Sequence, residues 1–193
     1  YVERHTDPGF KVGQTLARVL GLTVLRLAST ELLPFRYSHY ARKMEEFIDN
    51  AAGWAVDDSG RRRVVTDLAT ARGLATRAMT TASGIEARLD RRVAAGVVDP
   101  VRARRLNDAL VRLEQQLLDE SEPPATRWYR HVIYGWNIYS LYEGQPLPGL
   151  AEAIRVGDAA AVARETARLE QALTRFVTTL EEIARLADTI DAR

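Results

Sequence analysis

Two sets of interlocked heptads constrain this chain more than anything else in it. Val64, Ala71, Ala78 and Ile85 recur every seven residues, with Leu68, Ala75, Ala82 and Leu89 as the partner row. Toward the C-terminus Val162, Leu169, Phe176, Ile183 and Ile190 repeat the spacing, with Thr166, Leu173, Leu180 and Ala187 beside them. Apolar rows of this period share one face of a helix and need another helix to cover them. Alanine fills the middle of the first seam, so a neighbouring helix can approach closely there. Gly73 and Gly84 fall inside the same helix at a cost of about 1 kcal/mol each relative to alanine, which marks tight packing or a bend.

Shorter helices complete the pattern. Asp7-Pro8 sets a cap-competent carboxylate before a proline at a helix start. Phe10, Leu16, Val19, Leu20, Val24 and Leu27 then run toward Leu33-Pro34, where proline ends the helix. The second half of that helix is apolar nearly all round, which predicts burial on several sides. A second helix from near Ser38 carries Tyr40, Met44, Phe47, Ile48 and Ala51 on one face and is closed by Gly53 and Asp57-Asp58-Ser59-Gly60. Asp99-Pro100 repeats the cap-plus-proline start, and Leu106, Leu110, Leu113 and Leu117 stripe the helix that follows. No alternating strand pattern of useful length occurs. The expected fold is all-α, an antiparallel helical bundle with one long aromatic loop.

Composition mostly argues against chemistry on this chain. The 27 Lys and Arg against 26 Asp and Glu leave a charge of +1, too little for a strongly basic nucleic-acid binder. The absence of cysteine excludes disulfides, thiol catalysis and cysteine-ligated zinc. Three histidines, His5, His39 and His131, leave little for a histidine-rich metal site, so no metal ligand is assigned. His5 and His39 read as exposed or capping residues near helix starts. Arg18, Arg26 and Glu31 interrupt the apolar stretch from Leu16 to Leu33, so no membrane contact is expected of it. There is no phosphate loop, no Gly-x-Ser-x-Gly elbow and no His-Glu-x-x-His. Glu45-Glu46 and Glu181-Glu182 are adjacent on helices and point about 100° apart, so neither pair is an acid/base dyad. Arg61-Arg62-Arg63 follows Asp57 and Asp58 and reads as an ion-pair cluster at a helix start. The chain opens at Tyr1 without methionine and is expected to be a segment of something longer.

The stretch from Arg127 to Leu150 is too aromatic for a plain connector, with Trp128, Tyr129, Tyr134, Trp136, Tyr139 and Tyr142. Its aromatics either pin a loop to the bundle or present hydrogen-bonding groups to a ligand or a neighbouring domain. Tyr139 and Tyr142, beside Gly144 where the chain should turn outward, fit the second role better.

Three blocks in order carry a family resemblance: Leu32-Leu33-Pro34-Phe35 with Tyr37 and Tyr40-Ala41, then Tyr129-Arg130-His131-Val132-Ile133-Tyr134, then Tyr142-Glu143-Gly144-Gln145-Pro146-Leu147-Pro148-Gly149. Together with Val2-Glu3-Arg4 and Asp7-Pro8-Gly9-Phe10, they resemble the C-terminal region of the glutamate carboxypeptidase II and transferrin receptor family, after its last zinc-binding histidine. The resemblance implies that residues 1–34 are the closing helix of a zinc-peptidase-like domain and that residues 35–193 form a transferrin-receptor-like dimerisation domain. It implies as partners a second copy, the peptidase domain and that domain's peptide substrate. It implies no cofactor on this chain, no catalytic residue, and zinc in the peptidase domain that precedes it. In glutamate-specific members a Lys-Tyr pair in the loop after the second block holds a substrate carboxylate. Tyr142 matches the tyrosine and Leu141 stands in place of the lysine, so the implied substrate is more apolar; Tyr139 joins Tyr142 and Leu141 as a candidate substrate contact. The alternative within the same family is an interaction domain of a metal-free, receptor-like relative. Members are usually found outside the cytoplasm, an expectation that rests on the resemblance alone.

Overall fold

A computed structural model describes residues 1–54, 64, 67–96, 98–119, 130–137, 140 and 142–189. Six α-helices lie among these: α1 Lys11–Ala28, α2 Tyr37–Trp54, α3 Ala69–Ala95, α4 Pro100–Leu113, α5 Pro148–Val156 and α6 Ala159–Asp188. One antiparallel pair of three-residue strands, β1 Tyr134–Trp136 and β2 Gly144–Pro146, sits between α4 and α5.

The heptad rows became the core. Val64, Ala71, Ala78, Ile85, Leu68, Ala75, Ala82 and Leu89 are all buried, as are Val162, Leu169, Phe176, Ile183, Leu173, Leu180 and Ala187. Val64 and Leu68 lie ahead of the first turn of α3 and still pack inward. Thr166 is the exception in its row: its hydroxyl is buried without a hydrogen-bond partner among the described residues. Ile190 lies outside them. Leu106, Leu110, Leu113 and Leu117 are buried as their stripe predicts.

α6 is the axis of the bundle, touching α3, α4, α5 and the 3-10 turn Glu114–Leu117 that prolongs α4. The order of cross-helix contacts gives the directions. Arg36 meets Asp90, Ser38 meets Glu86 and Asp49 meets Arg72, so α2 and α3 are antiparallel. Arg102 reaches Thr189 while Arg175 reaches Gln116, so α4 and α6 are antiparallel too. Arg77 meets Glu181 and Arg88 meets Asp188, so the two seam helices run parallel. The expected antiparallel order therefore holds for α2 with α3 and for α4 with α6 but not between the heptad helices. Buried alanines at 71, 75, 78 and 82 let α3 lie close to the helices that pack on it, α2 and α6.

Caps and turns follow the sequence signals. Asp99 accepts from the amides of Val101 and Arg102, and Asp158 from those of Ala160 and Ala161. The Arg102 amide bond chiefly lowers the pKa of Asp99. Asp7 caps α1 at longer range, its two oxygens taking the amides of Val12 and Gly13 at 2.9 and 2.8 Å. Between them Pro8–Phe10 forms a single 3-10 turn. The acidic and basic runs at 57–58 and 61–63 lie outside the described residues.

α1 departs from expectation. None of its residues is buried: Leu16 is 57%, Val19 55%, Leu20 57%, Val24 65% and Leu27 45% exposed. Its apolar surround predicts burial, and no other described element supplies the cover. The segment after it is held, however. The Asn107 side chain on α4 accepts from Leu33 N–H at 3.0 Å and donates to the Glu31 carbonyl at 2.9 Å, beside buried Leu32. The bundle begins there.

Candidate functional site

The aromatic stretch is a hairpin built on a fixed base. After the 3-10 turn, Leu118 and Asp119 run extended beside residues 130–132, with Asp119 N–H to the Arg130 carbonyl at 2.8 Å and Val132 N–H to the Leu117 carbonyl at 3.0 Å. β1 then pairs with β2 in the register Tyr134 to Pro146, Gly135 to Gln145 and Trp136 to Gly144. Fully buried Ile133 and Leu147 drive this base into the core, and Leu147 N–H donates to the Ile133 carbonyl at 2.9 Å. Leu147 holds a left-handed backbone, φ 45°, a conformation uncommon for any residue but glycine, at this buried position.

Cations from α6 fasten residues 116–119, which run beside the entry to β1. Arg175 donates to the carbonyls of Gln116 and Leu118 at 3.2 and 3.0 Å. Arg168 pairs with both Asp119 and Glu165. On the other side Tyr134 stacks on Phe47 of α2, ring centroids 6.3 Å apart, and crosses the backbone at Gly144. A methyl group at residue 144 would overlap that ring, so the glycine allows the crossing.

Beyond the paired strands, backbone hydrogen bonds join the described residues of the turn. Ser140 N–H donates to the Asn137 carbonyl and Asn137 N–H to the Glu143 carbonyl. Tyr142 stands at this tip with 98% of its surface exposed. Of the three residues singled out as substrate contacts, the structure thus places Tyr142 on a pinned hairpin; Tyr139 and Leu141 lie outside the described residues. Trp128 and Tyr129 do also.

Beneath the hairpin lies a polar cluster that no local motif announces. Tyr37 and Tyr40 meet Phe176 edge-on, at 6.0 and 6.3 Å between centroids, and the Tyr37 hydroxyl donates to the Leu110 carbonyl at 2.7 Å. The Tyr40 hydroxyl lies 3.3 Å from both Glu114 Oε1 and His131 Nε2. Burial pushes the Tyr37 phenol up to about 12, and burial followed by Glu114 raises that of Tyr40 further. His131 moves the other way: burial lowers its pKa against the opposing pull of Glu114. Residues 40 and 131 are 91 apart in sequence, so only the fold brings them together. Their presence in two of the three motif blocks was the sole signal.

The remaining candidates are structural. Glu45 and Thr76 share a hydrogen bond with Arg72 nearby and Glu46 pairs with Lys43, so these adjacent carboxylates serve separate cations; Glu181 pairs with Arg77. His5 lies against the ring of Tyr1, and His39 is exposed. A hollow of about 300 Å³ along α6, between Asp67, Val162, Thr166 and Glu170, is completed by Ala159, Ala163 and Ala167, and no Lys or Arg is among these lining residues. Among the described residues no three His, Asp or Glu side chains come together as a metal site, so the donor set that zinc needs is not offered there. Among them, too, no helix is long and apolar enough to cross a membrane.

Comparison with known proteins fits this architecture. Residues 64–181 match the family described as the transferrin receptor-like dimerisation domain. The chain is 34% identical over 158 residues to a probable glutamate carboxypeptidase, LAMP1, of Arabidopsis thaliana, covering 80% of this chain and 21% of that protein. It is 29% identical over 188 residues to the aminopeptidase NAALADL1 of Rattus norvegicus, covering 95% of this chain and 24% of the relative. A shorter stretch of 69 residues is 38% identical to an inactive zinc metalloprotease of Schizosaccharomyces pombe, 36% of this chain and 9% of that one. The chain thus spans about a fifth to a quarter of the length of the first two of these relatives.

Proposed function

We propose, since the chain belongs to the transferrin receptor-like dimerisation domain family, that it is the homodimerisation module of a zinc-dependent exopeptidase, with its hairpin tip forming part of that enzyme's substrate pocket. Residues 35–193 are the module and residues 1–34 the end of the peptidase domain. The clip of Asn107 on Glu31 and Leu33 supports a boundary near there. So does α1, whose exposed leucines and valines are what a helix shows when its partner is another domain. Catalysis and zinc belong to that domain. The module itself supplies no acid, base or nucleophile.

One observation carries the pocket role: Tyr142 projects, 98% exposed, from a hairpin whose base is fixed by buried Ile133 and Leu147 and by Arg168 and Arg175. A phenol held out on a rigid base can meet a substrate group at little ordering cost. Tyr139 and Leu141 would flank it, and leucine beside the tyrosine favours an apolar peptide over a terminal glutamate. In the intact peptidase, Tyr142→Phe is expected to raise the Michaelis constant severalfold without changing zinc content. Unchanged kinetics would remove Tyr142 from the pocket.

The similarity to a relative described as inactive favours a second reading, a receptor-like protein whose peptidase-like domain binds no metal and whose helical surface engages a protein partner. Zinc analysis of the intact protein separates the two. Stoichiometric metal supports the enzyme, and none supports the receptor.

A further inference from the structure

We infer that His131 is an acid-released latch on the hairpin: the neutral ring fastens the entry to β1, and protonation unfastens it. The Nδ1 atom accepts the backbone N–H of Ile133 at 3.2 Å and that of Tyr134 at 3.3 Å. This is the arrangement by which an Asn or Asp side chain caps its own turn, executed here with an imidazole. A neutral imidazole has one acceptor nitrogen, so a ring that accepts at Nδ1 carries its proton on Nε2. The Nε2 atom faces the Tyr40 hydroxyl at 3.3 Å, and that hydroxyl in turn can donate to Glu114 at 3.3 Å. Every group in the chain of contacts is satisfied only while the ring is neutral.

A second proton would have to sit on Nδ1 and point at two N–H donors. The acceptor disappears, two positive hydrogens face a third, and the ring must leave. Other charges do not reverse this. From α2 the titratable groups packed nearby are Tyr37 and Tyr40, both phenols; from the 3-10 turn Glu114 lies 3.7 Å from Nε2 and favours the cation. From the neighbouring strand Asp119 is bound by Arg168, and Arg175 of α6 is engaged by main-chain carbonyls. Burial of the ring outweighs Glu114, so the folded His131 ionises below its unfolded value of about 6.5. The latch is therefore complete above roughly pH 6.5 and is lost as pH falls through the lower folded value. Its release loosens the start of the hairpin that carries Tyr142. The latch rests on the hydrogen bonds of residues 131–134 and stands whether or not Tyr142 touches substrate.

Amide hydrogen exchange and the ring-nitrogen resonances of His131, followed by NMR on this chain between about pH 8 and pH 4.5, test it. The ring should be the Nε2–H tautomer when neutral. Protection at Ile133 and Tyr134, corrected for intrinsic exchange, should fall by up to about tenfold per pH unit between about pH 6.5 and the ring's own titration, while Ala78 in α3 keeps its protection. His131→Asn retains an acceptor at the same place and does not titrate, so it should hold protection into acid. His131→Ala should lack it throughout. Should the Asn variant not fold, the wild-type ring titration and the two amides decide. Ring protonation without loss of protection, or a neutral ring with its proton on Nδ1, would overturn the latch, as would a folded Asn variant that loosens at the same pH as wild type.

Discussion

The carboxylate of Glu86, on α3, caps α2 at Ser38: one oxygen takes the backbone N–H at 2.8 Å and the other the hydroxyl at 2.6 Å. A helix start is thus satisfied by a side chain 48 residues away, and Ser38 is only 6% exposed. Glu86→Ala leaves an amide and a buried hydroxyl without partners. The expected loss is about 1–2 kcal/mol, or roughly 2–8 °C in melting temperature for a chain of this size. Asp90→Ala, which breaks the exposed Arg36–Asp90 pair one turn away, should cost well under about 1 kcal/mol. Equal losses in the two variants would contradict the cap as the source.

Close approach of α3 to its neighbours α2 and α6 depends on small side chains. Ala78 is fully buried on α3. Ala78→Leu should destabilise by about 1–3 kcal/mol through overpacking, whereas exposed Ala87→Leu should be nearly neutral. Thermal denaturation of the two variants reads this directly; a stable Ala78→Leu would mean the helices are not in close contact.

At the bundle's centre Phe176 is fully buried with Tyr37 and Tyr40 on its edges. Phe176→Ala should cost about 3–5 kcal/mol and disturb both tyrosines, including Tyr40, which faces His131. Preserved near-ultraviolet circular dichroism in a variant that remains folded would count against that packing.

α1 contributes nothing to the core in this structure, since none of its residues is buried. Removing residues 1–30 should leave the melting temperature of the bundle within about 2 °C of the parent. It should also abolish any association driven by the exposed row Leu16, Val19, Leu20, Val24 and Leu27. A large drop in melting temperature would show that α1 packs on the bundle in solution.

The clip between Asn107 and the segment ahead of α2 marks where the bundle starts. Asn107→Ala removes both of its hydrogen bonds, to Leu33 N–H and the Glu31 carbonyl. Limited proteolysis should then cut between residues 29 and 36 faster than in the parent, while α3 and α6 stay intact. Equal cleavage in both would place the boundary elsewhere.

How far the fold was readable follows from these same residues. Heptads are a property of one helix, so Ala71, Ala78, Phe176 and Ile183 declared their burial without any tertiary knowledge. Their neighbours did not: nothing in two periodic rows says whether their helices run parallel, and the cross-helix pairs Arg77–Glu181 and Arg88–Asp188 had to be seen. The strands β1 and β2 are three residues each, too short for an alternating pattern to register. α5 was hidden behind its prolines, since Pro148 opens it only two residues after Pro146 closes β2. Around the hairpin, Tyr142 could be singled out because it lies in a motif next to a turn. The contact of Tyr40 with His131 could not, because it depends on how α2 lies against the base of the loop. α1 misled for a different reason: an apolar helix announces that it needs cover, not what provides it.

The central claim is that this chain is a pairing module. Sedimentation equilibrium tests it most directly, on the chain with Leu16, Leu20, Val24 and Leu27 replaced by Gln so that α1 cannot drive association, over about a hundredfold range of concentration. A discrete species near twice 21.6 kDa, the same with and without zinc, is the predicted result. A folded monomer of 21.6 kDa across the whole range would contradict it.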